Sequence, residues 1–230
     1  MRVSGWEKQE PCILRDERDL MPPDRAWLRW PSRCCWAAFF GYGTLLVLLW
    51  AISYGGTSWI TGLHDFRVRL HFDFELQMPF VPRAAIVYLS LFPLLWLSPF
   101  VLQSAAELRL LAKQLAWLLA LSAIGFLVLP ADEVRSQSVD REFFDMAFEL
   151  ADWINLSYNW LPSLHVGVAV VCAWTYARRV SVTVGIVFWV WAAAVMISTL
   201  ITHQHYVADV VAGAALGFLV RPGRRRTPAR

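Results

Sequence analysis

Towards the end of the chain His205 and Asp209 stand four residues apart, a spacing that on a helix puts both side chains on one face, one turn from each other. A carboxylate there accepts a hydrogen bond from one imidazole nitrogen. That bond fixes the tautomer, leaves the lone pair of the other nitrogen free and stabilises positive charge forming on the ring. A histidine that attacks phosphorus needs these conditions. An isolated His-x-x-x-Asp is more often a capping or packing pair, so the pattern needs company. Pro162-Ser163-Leu164-His165 supplies it. Proline favours the first turn of a helix, and the unpaired N–H groups of that turn form a ready phosphate site. The Ser163 hydroxyl adds a donor, and His165 is placed to protonate a leaving-group oxygen. His203 lies six residues from Asp209, off that face, and is expected to do no more than touch a phosphate or headgroup. His64 and His71 stand among mixed charges and read as surface residues. Asp152 and Asn159 precede the Pro-Ser-Leu-His element and are expected to cap its helix or to orient His165.

These groups must be positioned by apolar elements. Of 230 residues, 57% are hydrophobic and 17% charged, and the mean hydropathy is +0.45. Charges are nearly absent from long stretches, and crossing a hydrocarbon core of about 30 Å takes about 20 apolar helical residues. The expected fold is all-α: a polytopic membrane protein with a bundle of six transmembrane helices. The spans are read at residues 34–54, 82–102, 110–130, 161–177, 180–202 and 206–220. Residues 1–33 form a charged N-terminal arm without the apolar core of a signal peptide, and residues 221–230 form a basic tail. Trp27, Trp30, Trp36, Trp59, Trp153 and Trp160 flank spans, where interfacial indoles collect. Cys12, Cys34, Cys35 and Cys172 have no zinc-site spacing and read as inert thiols.

Placing the N-terminus in the cytoplasm puts sixteen of the twenty-one Lys and Arg residues inside, in the N-terminal arm, the 103–113 and 178–179 turns and the tail. Both termini are then cytoplasmic. The loops at 55–81 and 131–160 and the turn near 203–205 fall on the outer face, so His165, His205 and Asp209 converge at the extracytoplasmic end. The net charge of +3 reads as membrane orientation and gives no case for nucleic-acid binding. Among the ionisable residues inside spans, none is near mid-membrane, which speaks against an ion-coupled transporter. Gly213 and Gly217 continue the stripe of His205 and Asp209, and Ala169, Cys172 and Ala173 follow His165. Small residues in such stripes let helices approach closely, so the two histidine-bearing helices are expected to pack together. Both are short for a full span, which would leave the histidines recessed to headgroup depth.

The run Ser198-Thr199-x5-His205-x3-Asp209, following Pro162-Ser163-Leu164-His165, resembles the type 2 phosphatidic acid phosphatase superfamily across the last three spans. That family carries Pro-Ser-Gly-His and Ser-Arg-x5-His-x3-Asp. The resemblance implies a six-helix membrane enzyme with His205 as nucleophile, Asp209 as its support and His165 as acid and base. Ser163, Ser198 and Thr199 would bind the phosphate. Leu164 replaces the family's Gly and Thr199 its phosphate-binding Arg. The Lys-x6-Arg-Pro element is missing, and Arg135 is its nearest counterpart, with Arg141 and Arg83 as other sources of positive charge. Pro-Ser-Leu-His with Ser-Thr-x5-His-Tyr is similar to the branch containing inositol-phosphorylceramide synthase.

The expected activity is hydrolysis of a lipid phosphomonoester or diphosphate through a phospho-histidine, without metal or other cofactor. The substrate would be phosphatidate-like, a polyprenyl diphosphate or a lipid-linked sugar phosphate. Transfer of the phospho-headgroup to a hydroxyl acceptor is the alternative, and a non-catalytic lipid-binding or transport protein the rival from another class. The basic tail suits a bacterial cytoplasmic membrane.

Overall fold

Serine side chains open three of the helices. In the computed structural model, which describes residues 28, 30–131, 143–154 and 158–221, the Ser32 hydroxyl accepts from the Cys35 N–H at the start of α1 (Arg33–Thr61). Near its end α1 passes through one π-helical stretch, Ala51–Gly55. Ser104 accepts from the Glu107 N–H at the start of α3 (Ala105–Val128), the Ser-x-x-Glu signature of a helix N-terminus. Ser163 accepts from the Val166 N–H and opens α5 (Leu164–Ala177). The other elements are α2 (Pro82–Trp96), α4 (Phe143–Ile154), α6 (Val182–Ile201) and α7 (Val207–Leu219). Among the described residues there is no strand.

By length and composition α1, α3 and α6 are able to cross a membrane, while α2, α5 and α7 are shorter apolar helices. The continuous span read at 82–102 is broken into Ala85–Leu89, Leu91–Trp96 and Ser98–Val101. Pro93 and Pro99 bring no N–H to the helical ladder, and the Ser90 hydroxyl bonds the Val87 carbonyl while accepting from Trp191 Nε1 at 2.8 Å. The segment read as an outer loop at 131–160 contains α4. Its Ala147, Phe148 and Ala151 pack against Phe80, Ala85 and Tyr88 of the α2 region, while Met146 and Leu150 stay exposed. Cys35 and Cys172 are buried free thiols, whereas Cys34 is disulfide-bonded, unlike the inert thiol read from sequence.

Helix α5 is the centre. Val166, Ala169, Val170, Val171, Cys172, Ala173 and Tyr176 are all fully buried, and α2, α3, α6 and α7 pack around them. Close approach to α7 depends on glycine. A Cβ on Gly213 would collide with the Ser163 carbonyl, and one on Gly217 would lie 2.8 Å from the Gly167 carbonyl oxygen. The stripe read on α7 is thus the contact surface. Its counterpart on α5 is Ser163, Gly167 and Val170, while Ala169, Cys172 and Ala173 face the core.

Loops read as sharing a side do meet. The Val68 N–H donates to the Pro130 carbonyl, Ala131 to Tyr158 and Val81 to Ile201, which draws four distant segments to one end. At the other end Glu107 at the start of α3 pairs with Arg179 of the α5–α6 turn at 2.6 Å.

Candidate active site

Two turns place the histidines. Helix α6 ends at Ile201 with Thr202 as its C-cap, and His203 follows in the left-handed region at φ 54°, a conformation that His tolerates better than bulky or β-branched residues do. The chain folds back so that the Gln204 and His205 N–H groups both donate to the Thr199 carbonyl, at 3.0 and 3.1 Å. His203 therefore serves the turn, its ring tilted against Phe80 at 5.3 Å. On the other turn the Ser163 N–H donates to the Asp209 carbonyl at 3.0 Å. Pro-Ser-Leu-His is thereby fastened by its backbone to the first turn of α7.

His205 and Asp209 do not share a helix face as the spacing suggests. Helix α7 starts at Val207 with Tyr206 as its N-cap, so His205 lies before the helix. Asp209 closes a capping box, its Oδ2 accepting from the Tyr206 N–H at 2.9 Å. The same oxygen lies 3.5 Å from His205 Nδ1. Both residues are buried, and neither His205 Nδ1 nor Asp209 Oδ1 has a hydrogen-bond partner among the described residues. A carboxylate so placed is suited to accept from an imidazole Nδ1, a bond that sets the tautomer and leaves the lone pair on Nε2. Glu75, from the 62–81 segment, supports the same turn. Its Oε1 accepts from the Val207 N–H at 2.5 Å and its Oε2 from Phe72 at 2.7 Å, a buried carboxylate on a helix N-terminus where backbone dipoles favour it.

His165 takes the second position of α5, one residue beyond Leu164, while Pro162 stands before the Ser163 cap instead of inside the first turn. The Tyr88 hydroxyl contacts His165 Nδ1 at 3.0 Å, and the two rings stack with centroids 4.0 Å apart. With Nδ1 so engaged, Nε2 is the nitrogen left for another partner. The His165 and His205 rings come within 6.2 Å, centroid to centroid. They line one narrow cleft with Trp50, Tyr54, Ile154, Asn159 and Leu164. Trp160 meets His205 edge-on at 6.0 Å and stacks on Tyr206.

The residues expected to bind phosphate fare differently. Ser163 accepts from Val166, which leaves its proton for another partner. Ser198 and Thr199 donate their hydroxyls to the Val195 and Met196 carbonyls, both at 2.7 Å. Their visible contribution is the turn that presents His205. Arg135 and Arg141 lie outside the described residues, and Arg83 is exposed at the start of α2. Asp152 lies on α4. Asn159 does not cap α5, because Ser163 does. Its amide instead bonds the Tyr54 carbonyl and Thr57 Oγ1. His64 is exposed, and His71 is half-buried beside Tyr206. Among the described residues no three His, Cys, Asp or Glu side chains gather to hold a metal ion.

Tyr88, Glu75, Trp50 and Tyr54 escaped the sequence reading. Glu75 alone left a signal, as a carboxylate within the loop that faces the helix starts. The others are aromatic residues in apolar runs, where nothing separates a site wall from packing.

A family model described as the PAP2 superfamily matches residues 62–221. No curated protein and no solved structure matches the chain.

Proposed function

The chain belongs to the PAP2 superfamily, whose members are phosphatases and phosphotransferases, and on that premise we propose that it is a lipid-phosphate phosphatase of six membrane-crossing segments working through a phospho-histidine. One observation carries this reading. His165 and His205, from elements forty residues apart, share a cleft with ring centroids 6.2 Å apart, the His165 ring contacted at Nδ1 by the Tyr88 hydroxyl and His205 Nδ1 lying 3.5 Å from Asp209 Oδ2.

In the first step His205 Nε2 attacks phosphorus in line while Asp209 stabilises the imidazolium. His165 Nε2 delivers a proton to the departing lipid oxygen. The N-terminus of α5 and the Ser163 hydroxyl face the phosphate, and Arg135, Arg141 or Arg83 balances its charge. In the second step His165 takes a proton from the acceptor, whose oxygen displaces His205. With water as acceptor the product is inorganic phosphate. Leu164 and Thr199, at positions where the family pattern has Gly and Arg, support transfer to a lipid or polyol hydroxyl as the second reading. Phosphatidate, phosphatidylglycerol phosphate, polyprenyl diphosphate and lipid-linked sugar phosphates are the candidate donors.

The test is phosphate release by purified protein from a panel of these lipids. Release that His205→Ala abolishes and that survives EDTA is the expected result. Loss of turnover in EDTA refutes the metal-independent mechanism, and no release without an added hydroxyl acceptor favours transfer.

A further inference from the structure

One polar residue of the cleft wall has no function in the scheme above. Asn159 is 2% exposed and lines the cleft with His165 and His205. Its Nδ2 donates to the Tyr54 carbonyl at 2.5 Å and to Thr57 Oγ1 at 3.1 Å. A carbonyl only accepts, so this contact fixes which end of the amide is nitrogen. The other end, Oδ1, is buried and has no partner among the described residues. A buried carbonyl oxygen left unpaired costs stability, and such an exception in a folded protein calls for a reason.

The anchoring is itself unusual. Tyr54 and Thr57 lie in and just after the π-helical stretch of α1, a local irregularity that recurs at functional sites. Thr57 also donates its hydroxyl to the Ser53 carbonyl at 2.7 Å, so its oxygen is turned to receive the amide. Two contacts from a distant helix therefore hold Asn159 in the wall of the cleft of the two histidines, with its acceptor bare.

An acceptor suits neither an anionic phosphate oxygen nor a lone pair. It suits a hydroxyl proton. The attacking species in the second step must give one proton to His165. Water has a second proton to donate, and a simple alcohol has none. Resting on the phospho-histidine reading, we infer that Asn159 positions the attacking water, its Oδ1 accepting one water proton while His165 Nε2 takes the other. The oxygen–phosphorus bond forms and the phosphorus–nitrogen bond breaks, its electron pair returning to His205 Nε2. The proton taken by His165 is the one needed for the next leaving group. The cleft is thereby biased towards hydrolysis and against transfer to simple alcohols.

The test uses the full-length purified protein in detergent micelles, with the lipid phosphate of the panel that it cleaves fastest and methanol as competing acceptor. The readouts are the ratio of methyl phosphate to inorganic phosphate and the formation and decay of labelled phospho-histidine. Asn159→Leu fills the space without an acceptor. It is expected to slow decay by water and raise the methyl phosphate ratio by about tenfold, the worth of one hydrogen bond to the attacking water, with formation unchanged. Asn159→Gln keeps both the amide donor and the amide acceptor and is expected to bring the ratio back to within about threefold of wild type. An unchanged or lowered ratio in Asn159→Leu, or a Gln variant that partitions like the Leu variant, overturns the assignment alone. A wild type that never carries label on histidine overturns the phospho-histidine reading and this assignment with it.

Discussion

On the proposed mechanism the Asp209 carboxylate has two uses that substitution separates. One oxygen caps the Tyr206 N–H, and the same oxygen faces His205 Nδ1. Asn at this position still offers an oxygen to the cap, so folding should change little. It no longer offers a charge to stabilise the imidazolium in a buried setting. Asp209→Asn is therefore expected to lower kcat by about two to four orders of magnitude, as loss of the histidine-orienting carboxylate does in other triads, while the melting temperature stays near wild type. A parallel collapse of both would make Asp209 structural. At this scale spacing picked out residues that the fold brings together, His165, His205 and Asp209, though not the shared helix face it suggested for the last two. The sequence was illegible where a partner arrives through the fold. Tyr88 reaches His165 across 77 positions, and Asn159 reaches Tyr54 across 105, distances over which no local pattern speaks.

Among the elements, the α5–α7 pair shows how a site is held by residues that carry no chemistry. The Ser163 backbone is bonded to the Asp209 carbonyl and lies against Gly213. Any side chain at 213 must push the Pro-Ser-Leu-His turn away from α7, and with it His165 away from His205. Gly213→Ala is expected to destabilise the protein by about 1–3 kcal/mol, the usual result of overpacking. It should also reduce phosphate release more steeply than thermal stability would suggest, because the displaced group is the backbone that positions His165. Thermal melts and kcat on one preparation decide this, and a variant that melts normally and turns over normally refutes it. The glycine stripe on α7 could be read from sequence because small residues recur there at helical spacing. Its counterpart on α5 was misassigned. Every residue of α5 from Val166 to Ala173 is apolar or small enough to face either way, and only the packing of α3 and α6 decides. The break in α2 was similarly hidden, because its prolines sit in a run whose hydropathy alone describes one span. Helix α4 was missed because its twelve residues fall short of a membrane-crossing window and carry acidic residues that resemble a loop.

At the scale of the molecule, basic residues and helix lengths bear on which side of the membrane the cleft faces. The segments bonded together at the histidine end, 62–81, 130–131 and 158–163, carry few of the basic residues. The opposite end holds Arg109, Lys113, Arg178, Arg179 and Arg221, and such clusters stay cytoplasmic. The helices that begin at the cleft have 14 and 13 residues, about 21 and 20 Å at 1.5 Å per residue. That is shorter than a hydrocarbon core of about 30 Å. If their inner ends reach the inner boundary, the cleft lies below the outer surface, level with the phosphate of a lipid in the outer leaflet. A green fluorescent protein fused after Arg230 should therefore fluoresce in cells, as it does when folded in the cytoplasm. A His64→Cys variant should react in intact cells with a maleimide that cannot cross the membrane, above the wild-type background. Labelling only after permeabilisation would invert the molecule. It would place the cleft in the inner leaflet, so that the lipid phosphate would be one presented to the cytoplasm and the released phosphate would be delivered there.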